Sequence, residues 1–143
     1  MNVRLSYIKN MHFKAMAREF KDILIDEPES FHGDNNGPSP IEYLLIGIGG
    51  CLSSSFVYYL QKNDIEVEEL DVVVDGKLKH TGPMMNLKLV EVELELQVSF
   101  KKGQLDEKID LCFETFREYC PISDLIIKGV PLKVNISKKK KEN

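Results

Sequence analysis

The sequence predicts an α+β fold, an antiparallel sheet of about six strands packed against two long central helices. Three observations lead there. Apolar and polar residues alternate with a period of two near both ends of the chain and through its middle. Two other stretches read as helices: Pro40 to about Gln61, which opens on capping residues and is apolar on nearly every side, and about Leu105 to Tyr119, which carries apolar residues at helical spacing. Neither an internal repeat nor a linker separates these segments, so residues 1–137 read as one domain, followed by a lysine-rich tail over 138–143.

Taken in order, Val3, Leu5 and Tyr7 alternate with Arg4 and Ser6, and Met11, Phe13, Ala15 and Ala17 alternate with His12 and Lys14. Lys9-Asn10 is the expected hairpin turn between these strands, and a third short strand follows from Phe20 to Asp26. The next twelve residues, Glu27 to Pro38, are dense in turn formers. Ser39 can cap a helix, Pro40 suits its first position, and Glu42 lies three after the cap, which completes a capping box. That helix is apolar on nearly every side, which predicts burial all round. A membrane span of the same length is the weaker alternative, because the centre is Gly49-Gly50-Cys51 followed by Ser53-Ser54-Ser55 and the flanks read as ordinary strands. Each glycine costs a helix about 1 kcal/mol relative to alanine. Gly47, Gly49 and Gly50 together therefore predict that a second helix or a partner subunit packs very close.

Strands resume after Asn63-Asp64, with Val72, Val74, Gly76 and Leu78 on one face, and Thr81-Gly82-Pro83 turns the chain. Val90, Val92, Leu94, Leu96, Val98 and Phe100 then alternate with charged and polar residues, whereas Leu87 and Leu89 fall in the opposite phase. The phase change predicts a bulge near Leu89-Val90. In the second helix Leu105, Ile109, Cys112, Phe113, Phe116 and Cys120 share one face, and Pro121 stops it. Val130, Leu132, Val134 and Ile136 make the expected last strand.

Composition narrows the function. Apolar residues are 43% and charged residues 29% of the 143, a globular balance. Asp and Glu (23) outnumber Lys and Arg (19), for a net charge of −4, and such a surface disfavours nucleic acid. The one basic cluster, Lys138 to Lys141, reads as a solvated, disordered tail. No phosphate loop, dinucleotide fingerprint or nucleophile elbow is present. His12, His32 and His80 are scattered over strand and loop positions and read as surface residues.

Three cysteines remain, Cys51, Cys112 and Cys120, with no C-x-x-C pair and no zinc spacing. The N-terminal residues lack the apolar run of a signal peptide, so the expected compartment is the reducing cytoplasm, where thiols are either core residues or reactive. Cys51 lies in the apolar, glycine-lined helix, and Cys120 closes the second helix against a proline. Two buried helices that each carry a thiol are natural neighbours, so the Cys51 and Cys120 sulfurs could approach. Cys112 reads as packing. On residue type alone a small core hydrophobe is also a good account of Cys51.

Pro40-Ile41-Glu42-Tyr43-Leu44-Leu45 followed by Gly49-Gly50-Cys51 resembles the P-x-E-L-L-L-x-x-L-G-G-C helix of the OsmC/Ohr (organic hydroperoxide resistance) family. Tyr119-Cys120-Pro121-Ile122-Ser123 resembles its second signature, C-P-V-S or C-P-I-S at the end of the second helix. The wording is closest to a less-characterised branch. The resemblance implies an OsmC-like, intertwined homodimer with sites at the subunit interface and the two cysteine-bearing helices at its centre. It also implies a peroxidatic role for Cys51 and a resolving role for Cys120. A Cys51 sulfenic acid would condense with Cys120 to a disulfide, and an external dithiol, lipoyl-type in the characterised branch, would reduce it. No bound cofactor or metal is implied. The family activates its thiol with an arginine from the N-terminal strands, oriented by a glutamate at the start of the first helix. Glu42 lies one residue beyond the position of that glutamate, where this chain has Ile41, and can equally serve only the capping box. Arg18 is the preferred arginine, with Arg117 and Arg4 as rivals.

The leading expectation is thus thiol-dependent reduction of organic hydroperoxides, without nucleic-acid or membrane partners. The alternative is a non-enzymatic dimer that binds a small apolar ligand or senses redox state through the same cysteines. A third reading makes all three cysteines core residues.

Overall fold

The computed structural model describes residues 1–101, 106–129 and 132–135. Its first unit is a meander of β1 (Val3–Lys9), β2 (His12–Ala17) and β3 (Phe20–Ile25). These pair antiparallel in the order β1-β2-β3, with Leu5 opposite Ala15 and Ala15 opposite Ile23. The first turn falls at Asn10-Met11, one residue later than expected, with Asn10 at φ 45°. Asparagine tolerates that left-handed conformation well.

The loop after β3 is organised by a buried carboxylate. Asp26 accepts hydrogen bonds from the backbone N–H of Glu27 (2.9 Å), Asp34 (3.3 Å) and Asn36 (3.1 Å), and from Asn36 Nδ2 (3.1 Å). Gly33 is required here, because a Cβ would lie 1.8 Å from the Glu27 carbonyl oxygen. The Asp26 backbone N–H donates to the Pro38 carbonyl at 3.2 Å, which fixes the approach to α1 (Pro40–Lys62). Both halves of the capping box form: Glu42 N–H donates to Ser39 Oγ at 3.3 Å, and Ser39 N–H donates to Glu42 Oε2 at 2.6 Å.

A long hairpin follows, β4 (Val67–Thr81) and β5 (Asn86–Phe100), which forms a sheet of its own. Lys77 pairs with Glu91 but Leu78 pairs with Leu89, so Val90 is the extra, bulged residue, as its change of phase predicts. The apolar face of the hairpin meets α1. A Cβ on Gly49 would stand 2.7 Å from Val74 Cγ2, and one on Gly76 would stand 2.9 Å from Leu45 Cδ1, so two glycines let helix and sheet close up. The core gathers Phe56, Leu60 and Ile65 with Ile109, Cys112 and Phe116. Phe56 stacks on Phe113 with centroids 5.6 Å apart and meets Phe116 edge-on at 5.1 Å.

The architecture is α+β with antiparallel sheets, as expected, and differs from the expectation in four respects. Among the described residues there are five strands in two separate sheets, and Leu132 to Asn135 are not a strand but exposed chain without a pairing neighbour. Val130, Ile136 and the 138–143 tail lie outside the described residues. The second helix is also shorter: α2 spans Asp106–Thr115 and tightens into a 3-10 turn over Phe116–Tyr119, while Leu105 lies outside the described residues. Cys120 leaves that turn extended (φ −86°, ψ 116°), the conformation a following proline imposes. A further short helix, α3 (Ser123–Lys128), follows and was not expected.

Finally, α1 is not buried all round. Leu44, Ile46 and Tyr58 stand exposed, because the hairpin covers one side and α2 with its following turn another, leaving a third open. It is the one helix among the described residues long and apolar enough to cross a membrane.

Candidate active site

Cys51 sits in the middle of α1, half-buried, and Cys120 sits buried at the exit of the turn after α2. Their sulfurs are 3.5 Å apart, within hydrogen-bond distance for a sulfur pair, although 69 residues separate them in sequence. Two local devices hold them. The Cys120 backbone N–H donates to the Arg117 carbonyl at 3.2 Å, and Ser123 N–H donates to the Cys120 carbonyl at 3.2 Å, so the Cys120–Pro121 step is pinned on both sides. On α1, Ser55 Oγ donates to the Cys51 carbonyl at 2.9 Å. The neighbouring flank is aromatic, with Tyr59 stacked on Tyr119 at 4.6 Å and Lys62 Nζ 5.6 Å from the Tyr119 ring centre.

The two thiols differ in acidity. Burial, and then the adjacent Cys120, push the Cys51 thiol above its ordinary 9.0, and the Ile122 N–H offsets this only in part. Burial also pushes Cys120 up, but the Ile122 N–H, Cys51 and the hydroxyls of Ser123 and Ser55 outweigh it, and the thiol falls below 9.0. When the pair loses a proton, the charge therefore falls first on Cys120, and the remaining proton stays on Cys51. Cys112, raised by burial alone, packs in the core as expected.

The remaining candidates are not brought to this pair within one chain. Glu42 lies nine residues before Cys51, which at about 100° per residue is half a turn out of phase. It faces the hairpin, lining an open cleft of about 620 Å³ with Leu45, Ile46, Gly49, Val72 and Val74. The Ser39 backbone N–H, followed by its side chain, holds the Glu42 carboxyl below its ordinary value. Its role in one chain is therefore the capping box. Arg18 occupies the β2–β3 turn at φ 55°, with its guanidinium 5.0 Å from the Phe20 ring centre. Arg4 lies on β1, and Arg117 in the 3-10 turn is exposed. None of the three is among the groups that shift Cys51. Sequence reasoning missed the Ile122 N–H, Ser123 and Ser55 around Cys120. A proline directly after a helix-ending cysteine was the signal, since it forces a turn whose next N–H groups are free to point back.

A chain of antiparallel strands around a central apolar helix, with two facing thiols from distant segments, defines a small α+β protein of the thiol-pair class. The OsmC-like protein family model matches residues 33–135, and the chain belongs to that family. It is 24% identical over 134 residues to Protein YhfA of Escherichia coli strain K12, covering 91% of this chain and 92% of that protein. The fold is that of the OsmC-like protein from Mycoplasma pneumoniae (TM-score 0.74, 16% identity, 89% of this chain and 86% of that one). It is also that of the organic hydroperoxide resistance protein OhrB of Bacillus subtilis (TM-score 0.61, 17% identity, 89% and 90%).

Proposed function

We propose that the chain is a cytoplasmic, thiol-dependent peroxidase of organic hydroperoxides that works as a homodimer. The observation that carries this function is the 3.5 Å approach of Cys51 and Cys120. The Cys51 thiolate attacks one oxygen of R–O–O–H, the O–O bond breaks, and R–O⁻ leaves to take up a proton, leaving a Cys51 sulfenic acid. The Cys120 sulfur then displaces its oxygen as water and forms a disulfide. An external dithiol, lipoyl-type by family resemblance, reduces the pair by exchange and leaves as its own disulfide.

The attack needs the charge on Cys51, whereas a single chain favours it on Cys120. A cation from a second copy would supply the difference, and the surface favours such a copy. Gly47 and Gly50 face open space, where a Cβ would meet nothing within 4 Å, beside exposed Leu44 and Tyr58. Val3, Leu5, Tyr7 and Phe20 leave the first sheet apolar and uncovered as well. Exposed apolar residues grouped in this way support association with a second copy. Arg18, which neighbours Phe20, is the preferred arginine to cross that interface.

Turnover of cumene hydroperoxide with dihydrolipoamide tests the proposal. Cys51→Ser abolishes it, and Cys120→Ser leaves one oxidation event followed by overoxidation of Cys51. Undiminished turnover in Cys51→Ser would end the proposal. The second reading, a redox-sensing or ligand-binding dimer, is favoured by the raised Cys51 thiol and the apolar cleft. It predicts a reversible disulfide with no turnover under any dithiol.

A further inference from the structure

We propose that the reduced Cys51–Cys120 pair is also a chelating site for trivalent arsenic, taking organoarsenicals of the R–As=O type. The inference rests on the same thiol pair as the peroxidase but on no reaction with peroxide. The separation of the sulfurs carries it. At 3.5 Å they stand well outside the bond length of a disulfide, about 2.05 Å. A single atom bonded to both at about 2.3 Å, with an angle between about 95° and 110°, holds them about 3.4–3.8 Å apart. The spacing of the two sulfurs therefore matches a one-atom bridge.

The bridging atom is selected by what surrounds the pair. A linear two-coordinate centre at the same bond length would need about 4.6 Å between sulfurs, so the observed 3.5 Å favours a bent bridge over the usual digonal geometry of copper(I) or mercury(II). Structural zinc needs four ligands. Among the described residues no group of three or more His, Cys, Asp or Glu side chains is placed to hold a metal, so two sulfurs are what the site offers. Trivalent arsenic that carries an organic group needs just two more bonds, and its pyramidal geometry sets them near a right angle.

In the reaction two S–H bonds and the As–O bond break, two As–S bonds form, and the oxygen leaves as water. Nothing is oxidised or reduced. Half-buried Cys51 is the sulfur an arrival meets first, and buried Cys120 closes the ring. Because the two lie 69 residues apart in sequence, the folded chain presents the chelate ready-made and the unfolded chain does not. Binding therefore raises the melting temperature.

Phenylarsine oxide titrated into the reduced, full-length chain tests this by intact mass, thiol count and thermal melting. One arsenical bound per chain, loss of two of the three thiols and a raised Tm are expected. Cys112→Ser should behave like the parent chain, whereas Cys51→Ser or Cys120→Ser should bind about a hundredfold more weakly, once the second sulfur no longer acts intramolecularly. Release by 2,3-dimercaptopropanol but not by an equivalent of monothiol gives the same answer without any variant. Binding that is unchanged in Cys51→Ser, or that consumes a single thiol, would overturn the proposal. Arsenical binding by a protein that no hydroperoxide oxidises would remove the peroxidase alone. Disulfide formation with peroxide but no arsenical binding would remove the chelate alone.

Discussion

At the scale of single residues, the sharpest contrast is between two acids of different kinds, one enclosed and one half-buried. Asp26 is fully enclosed, and burial pushes its carboxyl up, yet the backbone and side-chain N–H groups of Asn36 and the backbone of Asp34 and Glu27 hold it below its ordinary 3.8. A carboxyl depressed in the folded state adds stability above its unfolded value, and that contribution disappears as pH falls through the folded one. Asp26→Asn should therefore be less stable at neutral pH and lose less stability than the parent chain between pH 5 and 2, as measured by urea unfolding. A variant curve parallel to the parent's would deny Asp26 that role. Cys51 is the opposite case, its thiol raised by burial and by Cys120. Replacing Cys120 with alanine removes the second cause, so the pH midpoint of Cys51 alkylation by iodoacetamide should move down. A midpoint that stays or rises would mean that burial alone sets Cys51.

At the scale of elements, α1 does most of the positioning. Its capping box fixes where the helix begins, and so where Cys51 stands against Cys120. Ser39→Ala should cost about 1 kcal/mol, read from denaturant midpoints. Phe56, sealed between Phe113 and Phe116, is worth more: Phe56→Ala should cost about 3–5 kcal/mol. Much of this was legible in the residues. Ser39-Pro40-Ile41-Glu42 spells the cap, the phase change at Leu89-Val90 spells the bulge, and Cys120-Pro121 marks the turn that carries the second thiol. What was not legible depends on partners distant in sequence. Alternation around Leu132 and Val134 announces strand propensity, but a strand also needs an edge to pair with. The period of α1 says that its sides are apolar, not which of them the same chain covers. Glu42 and Cys51 read as one motif in sequence, yet half a turn of helix sends them to different sides.

At the scale of the whole molecule, the proposed homodimer would account for two features of the single chain together, the uncovered faces of α1 and β1 and the raised Cys51 thiol. A Cβ at Gly47 or Gly50 meets nothing within 4 Å in one chain, so Gly47→Leu and Gly50→Leu should each leave the monomer folded while weakening self-association in sedimentation. Gly49→Leu, by contrast, strikes Val74 and should destabilise the fold itself. Equal effects at all three positions would contradict that division. The central claim, that two particular thiols form a working redox pair, is tested most directly by adding one equivalent of cumene hydroperoxide to the reduced protein, counting free thiols and mapping linkages by mass spectrometry. The account predicts rapid loss of two thiols, a Cys51–Cys120 disulfide and an untouched Cys112. Persistence of all three thiols, or a linkage through Cys112, would contradict it.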